Sequence, residues 1–163
     1  MHNDPRDLIV AMEKAIGRNL DADDFEDRLA IQKGCYILNQ WGYGSKYSFS
    51  MFIRGPYSSD LDDDYRELGG DVGETTCIPD DAIGRLRSIF GKGMDYVEAY
   101  ATVLLIKESN RHASAGSIRN KAINLKPYLR REIEEASALI LARGRRDACC
   151  GRFRSRCRCI GHL

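Results

Sequence analysis

A chain of 163 residues, 43% hydrophobic and 30% charged with four prolines, has the composition of one globular domain large enough to bury a sizeable core. No apolar run approaches the roughly 20 residues of a membrane span, and Met1-His2-Asn3-Asp4-Pro5 lacks the basic and apolar regions of a secretory leader, so a cytoplasmic protein is expected. The net charge of +1 hides a split: residues 1–142 carry 18 Lys/Arg against 23 Asp/Glu, residues 143–163 seven Arg against one Asp, so the body by itself does not attract phosphate.

Pro5 suits a first helical turn, and Leu8, Met12, Ala15 and Ile16 recur at helical spacing, which predicts a helix over 5–17 that ends at Gly17. Asp24, with Asp27 three residues on, predicts the cap of a second helix running to about Trp41. Its apolar residues Phe25, Leu29, Ile31, Cys35, Tyr36 and Leu38 cover more than one stripe, the mark of a central helix. Tyr47, Phe49 and Met51 then alternate with Ser48, Ser50 and Phe52, predicting a strand within 46–54 that Gly55-Pro56 breaks. Ser58 or Ser59 caps a helix through Leu68, and 71–78 reads as irregular or as a weak second strand.

Pro79-Asp80-Asp81 opens a further helix with Ile83, Leu86, Ile89 and Phe90 on one face. Val97, Tyr100, Ala101, Leu104 and Leu105 give the clearest amphipathic pattern in the chain. Ser114 caps a short helix containing Ile118, Ala122 and Ile123, and Pro127 starts a last one with Leu129, Ile133, Ala136 and Ile140. The expected fold is mainly α with a small β component: one compact domain over 1–142, about seven helices, and one or two short strands near 46–54 and 71–78. Residues 143–163, rich in Arg and Cys, keep no period and read as a basic disordered tail.

Candidate chemistry is sparse. Asp60, Asp62, Asp63, Asp64 and Glu67 suggest a cation site, but carboxylates in the first turns of a helix also complement its positive end, and that reading is preferred. Lys33 on an apolar helix is expected to reach solvent or pair with an acid, and Gln32 to bond backbone near Gly55-Pro56. Cys35 is expected to pack as a small reduced hydrophobe. His112 has no nucleophile near it in sequence, and no phosphate-binding glycine motif occurs. Cys149, Cys150, Cys157, Cys159 and His162 lack the paired spacing of a structural zinc site. No catalytic residue, metal or cofactor is expected, and the chain is not read as an enzyme.

One stretch resembles a known family. Leu29, Gln32, Lys33 and Tyr36 form an L-x-x-Q-K-x-x-Y helix; an aromatic strand follows and ends in Gly55-Pro56-Tyr57-Ser58, with Leu61 early in the next helix. The combination resembles the YwgA-like proteins and, more distantly, the Panacea (SocA-like) antitoxin domain. In those relatives a pair of strands often follows the Gly-Pro helix, where this chain has only the short stretch 71–78. The resemblance implies a structural role for Leu29, Gln32, Lys33, Tyr36, Gly55, Pro56 and Leu61. It also implies a protein partner, a toxin or a protease substrate, bound at an edge built from Tyr47, Phe49, Arg54, Tyr57 and Ser58. The alternative is a nucleic-acid-associated regulator with a degenerate winged-helix core whose Arg-rich tail grips phosphate; the acidic residues 60–67 weigh against specific nucleic-acid binding.

Overall fold

The computed structural model describes residues 4–44, 47–70 and 72–142. The elements in order are α1 (Pro5–Ile16), α2 (Phe25–Gln40), β1 (Ser50–Phe52), β2 (Gly55–Tyr57), α3 (Ser59–Glu67), α4 (Asp80–Phe90), α5 (Met94–Ser109), α6 (Ala115–Leu125), a 3₁₀ turn (Pro127–Leu129) and α7 (Arg130–Ala142). The mainly helical class with a small sheet is as expected. The expectation of a disordered tail over 143–163 lies outside the described residues.

Local chemistry explains the element boundaries. Side-chain oxygens of Asp4, Asp24, Ser58 and Ser114 accept hydrogen bonds from backbone N–H groups at the starts of α1, α2, α3 and α6, satisfying donors that the first helical turn leaves open. Gly17 closes α1 in the left-handed conformation (φ 86°), its N–H donating to the Glu13 carbonyl at 2.7 Å. Asp27, inside the first turn of α2, is buried and receives the Arg18 guanidinium (Nη1 to Oδ2, 2.8 Å), which stitches the α1–α2 loop to the helix it precedes. That hydrogen bond outweighs burial and holds the Asp27 carboxyl below its ordinary range.

Helix α5 forms the centre. It packs on α2, α4, α6 and α7 and on strand β2, so its residues 96–103 are buried without interruption. The amphipathic helix expected from Val97, Tyr100, Ala101, Leu104 and Leu105 is instead a central one: α5 has no wide solvent face, because neighbours cover it from several sides. Helix α2 shares that character, with residues 30–38 all buried. Cys35 sits in this core as a free thiol, and burial pushes its pKa up to about 12, so it stays protonated.

The sheet corrects a second expectation. Its two strands are adjacent, β1 and β2 pairing antiparallel with Ser50 opposite Tyr57, Met51 opposite Pro56 and Phe52 opposite Gly55. Gly55-Pro56 does not end the β structure; it is the returning strand, and the chain reverses at Ile53-Arg54. Gly55 makes that return possible with φ 97°, a conformation that side chains oppose. Residues 72–78 contain no strand; they run as bends, tied to α1 where the Cys77 N–H donates to Asp7 Oδ1 at 3.0 Å.

Candidate functional site

The residues of the family-like motif converge on the root of the hairpin. Gln32, buried in α2, uses its amide as a strand would use its backbone: Nε2 donates to the Ser58 carbonyl and Oε1 accepts from the Ser58 N–H, both at 2.9 Å. Gln32 thus does bond backbone next to the Gly55-Pro56 turn. Ser58 in turn caps α3, and Leu61 and Tyr65 of that helix are buried in the core. Tyr36 donates its hydroxyl to Glu108 Oε2 (3.1 Å), and its ring meets Phe49 edge-on with centroids 5.1 Å apart. Leu29 is half-buried and Pro56 buried.

Behind the hairpin lies a buried charge cluster. Glu98 of α5, 2% exposed, accepts from Lys126 Nζ (2.5 Å) and from the Tyr128 hydroxyl (2.8 Å) at Oε1, and from Arg54 Nε (2.9 Å) at Oε2. Lys126, also 2% exposed, donates as well to the carbonyl of Ile53 at 2.5 Å, which fixes the reversal of the hairpin to the α6–α7 junction. Burial alone would raise the Glu98 pKa, but the bonds from Lys126, Tyr128 and Arg54 hold the carboxyl below its usual range.

Lys33 completes the cluster. The expectation that it reaches solvent or pairs with an acid is not met: it is 2% exposed and forms no hydrogen bond or ion pair among the described residues. Packing explains this. A Cβ on Gly55 would stand 3.3 Å from Lys33 Cε, 3.5 Å from Thr102 Oγ1 and 3.8 Å from Glu98 Cγ, so the lysine stem lies flat under the glycine backbone. Burial lowers the Lys33 pKa to about 8; attraction by Glu98 opposes this, while Lys126 and Arg54 reinforce it. The Thr102 hydroxyl beside it is buried without a hydrogen-bond partner. Arg54 and Lys126 therefore share the Glu98 carboxylate, and Lys33 lies beside them without bonding to it.

The tip of the hairpin has the opposite character. Phe52 is 57% and Ile53 88% exposed, and Leu125 and Tyr128, on the segment that Lys126 ties to Ile53, are exposed as well. A groove of about 410 Å³ adjoins β1, lined by Phe49, Met51, Leu105, Ile106 and Leu125 among others. Of the five residues expected at a partner edge, Arg54, Tyr57 and Phe49 are half-exposed around this surface. Tyr47 and Ser58 are buried and serve the interior: Tyr47 donates to Asp64 Oδ2 (2.7 Å) and Ser58 is held by Gln32. Two of the helix α3 acids are engaged, Asp64 with Tyr47 and Asp62 with Tyr65 and Arg66, while Asp60, Asp63 and Glu67 are exposed.

Glu98, Lys126, Phe52 and Ile53 do not stand out in sequence reasoning about function. A lone glutamate in the apolar run Tyr96–Ala101 was the available signal for the first. Comparison with known proteins finds no matching family model, no matching curated protein and no matching solved structure. Among the described residues, no helix is long and apolar enough to cross a membrane.

Proposed function

We propose that this chain is a protein-binding module whose partner docks on the hairpin tip and the groove beside β1. The observation that carries the reading is the exposure of Phe52 and Ile53 on a turn that Lys126 and Arg54 brace from behind. Apolar side chains held out on a rigid turn lose little freedom when a partner covers them, which favours their use as binding anchors. The buried cluster then has a positioning role: it fixes the turn without occupying its outer face. The resemblance of the Gln32-Lys33 and Gly55–Ser58 motifs to the Panacea domain extends the proposal to an antitoxin-like or adaptor role, with a toxin or a protease substrate as partner.

The test compares the full-length protein with an Ile53→Asp variant and a Leu125→Asp variant, each immobilised and exposed to native lysate. The expected result is a protein captured by the parent chain and lost, or weakened by about tenfold, with both variants at unchanged thermal stability. Capture that ignores both substitutions would overturn the reading.

A further inference from the structure

A second cleft lies away from the hairpin, where the end of α2 meets α4, α5 and α7. Its volume is about 460 Å³, within the roughly 300–1,000 Å³ of small-molecule sites. Leu104, Lys107 and Glu108 of α5 face this cleft, whereas Leu105, Ile106 and Ser109 face the groove beside β1, so the two share no lining residue and the cleft does not depend on the partner assignment.

Three cations line the cleft: Arg85 of α4, Lys107 of α5 and Arg111 just beyond it. None of them forms an ion pair with a described carboxylate. The acid in the lining, Glu108, has its Oε2 engaged by the Tyr36 hydroxyl (3.1 Å) and the Gln40 amide (2.9 Å). Both donors are neutral, so Glu108 keeps its charge and the lining carries three cations against one carboxylate, an excess of positive charge that favours an anion. The cleft also holds an aromatic surface. Trp41 is half-buried, and the Arg85 guanidinium lies over its ring, 4.0 Å from the centroid. Indole rings and guanidinium groups are surfaces on which nucleobases stack.

The geometry points to a binding site for a mononucleotide: a phosphate ester whose ring stacks against the Trp41–Arg85 pair and whose phosphates meet Lys107 and Arg111. Inorganic phosphate would use the cations without the aromatic surface, and a neutral nucleoside the aromatic surface without the cations. A single-stranded nucleic acid would use both, repeated along a strand.

Trp41 is the chain's single tryptophan, so its fluorescence reports directly on the cleft. The full-length protein is titrated with AMP, ATP, adenosine, inorganic phosphate and a short single-stranded oligonucleotide, with calorimetry as a second readout. The expected result is saturable quenching by AMP, tighter binding of ATP, and at least about tenfold weaker binding of adenosine and of phosphate. The Lys107→Glu, Arg111→Glu double variant should weaken ATP by at least about tenfold while its melting curve stays unchanged. If that variant melts early, Arg111→Gln, at an exposed position after the helix, must still weaken ATP. Overturning results are absence of saturation by about 1 mM nucleotide, phosphate binding as well as AMP, ATP affinity indifferent to both variants, or an oligonucleotide that binds far more tightly than any mononucleotide.

Discussion

The root and the tip of one short hairpin reverse the usual distribution of polarity. At the root, Lys33, Glu98 and Lys126 are each 2% exposed, whereas at the tip Phe52 and Ile53 stand largely in solvent. Burying a charge is costly unless it is paired, and exposing a large apolar side chain forgoes about 1.5–3 kcal/mol of burial. The two departures adjoin in the fold, though not in sequence, and are joined by bonds, Lys126 to the Ile53 carbonyl and Arg54 to Glu98. A buried cluster is weak support for stability but a strong geometric constraint, and here the constraint acts on the turn that carries the exposed side chains. The difference teaches that the interior charges serve position and the exterior side chains serve contact.

Removing the shared carboxylate breaks this comparison most severely. Glu98→Gln keeps the size of the side chain and leaves Lys126 and Lys33 buried beside Arg54 with no anion. A loss of about 3–5 kcal/mol is expected, measured by denaturant unfolding at neutral pH. The pH dependence gives a further check. Because the folded state holds the Glu98 carboxyl below its ordinary pKa, its contribution is present above about pH 4.3 and fades as pH falls through the lower folded value. The variant should therefore lose part of the acid sensitivity of the parent; Asp27, also held low, supplies another part.

Gly55→Val attacks the geometry instead of the charge. The residue would need φ near 97° and would press a Cβ to 3.3 Å from Lys33 Cε. The strain should cost about 1–3 kcal/mol, read as a lower midpoint in the same unfolding experiment. An unchanged midpoint would mean that the hairpin can reverse without this backbone conformation.

Lys33→Met sharpens the comparison in the opposite direction. The folded pKa of about 8 lies below the ordinary 10.5, so below pH 8 the folded state holds a proton it disfavours relative to the unfolded chain. The parent protein should gain stability as pH rises from about 8 to 10.5, where only the unfolded lysine remains charged. Methionine removes the penalty at the outset, so the variant should be more stable by about 1–2 kcal/mol at pH 7, with the advantage shrinking toward pH 10. A variant that is less stable at pH 7 would show that Lys33 contributes more by attraction to Glu98 than burial takes away.

Much of the fold was legible in the sequence because its signals are local. Asp24, Ser58 and Ser114 cap the helices they precede, and the alternation through Tyr47–Phe52 marked the first strand. Residues 71–78 read as irregular or as a weak strand, and the described part is irregular; the second strand went unread at Gly55–Tyr57 because Gly-Pro is ordinarily a breaker, and only the pairing of Phe52 with Gly55 shows it as the return. The candidate site was half visible. Gln32 and Lys33 drew attention as polar residues on an apolar helix, but their surroundings depend on Arg54, Glu98 and Lys126, which lie tens of residues apart and meet only through tertiary packing. Exposure at the tip was equally hidden, since Phe52 and Ile53 continue an aromatic strand pattern that reads as core.

The smallest expected effect on stability gives the cleanest separation of root from tip. Ile53 is 88% exposed, and what the root holds at this residue is its carbonyl, not its side chain. Ile53→Asp keeps the backbone bond from Lys126 and places a carboxylate in water, so unfolding free energy should stay within roughly 0.5 kcal/mol of the parent. The same charge beneath a docked partner would be desolvated and unpaired, which costs far more than the lost apolar contact. Ile53→Leu should retain both stability and capture, because it preserves an apolar side chain of equal size. If Ile53→Asp instead destabilises the chain by more than about 1 kcal/mol, the tip is part of the folding unit and not a free docking surface, and the division between interior charge and exterior contact fails.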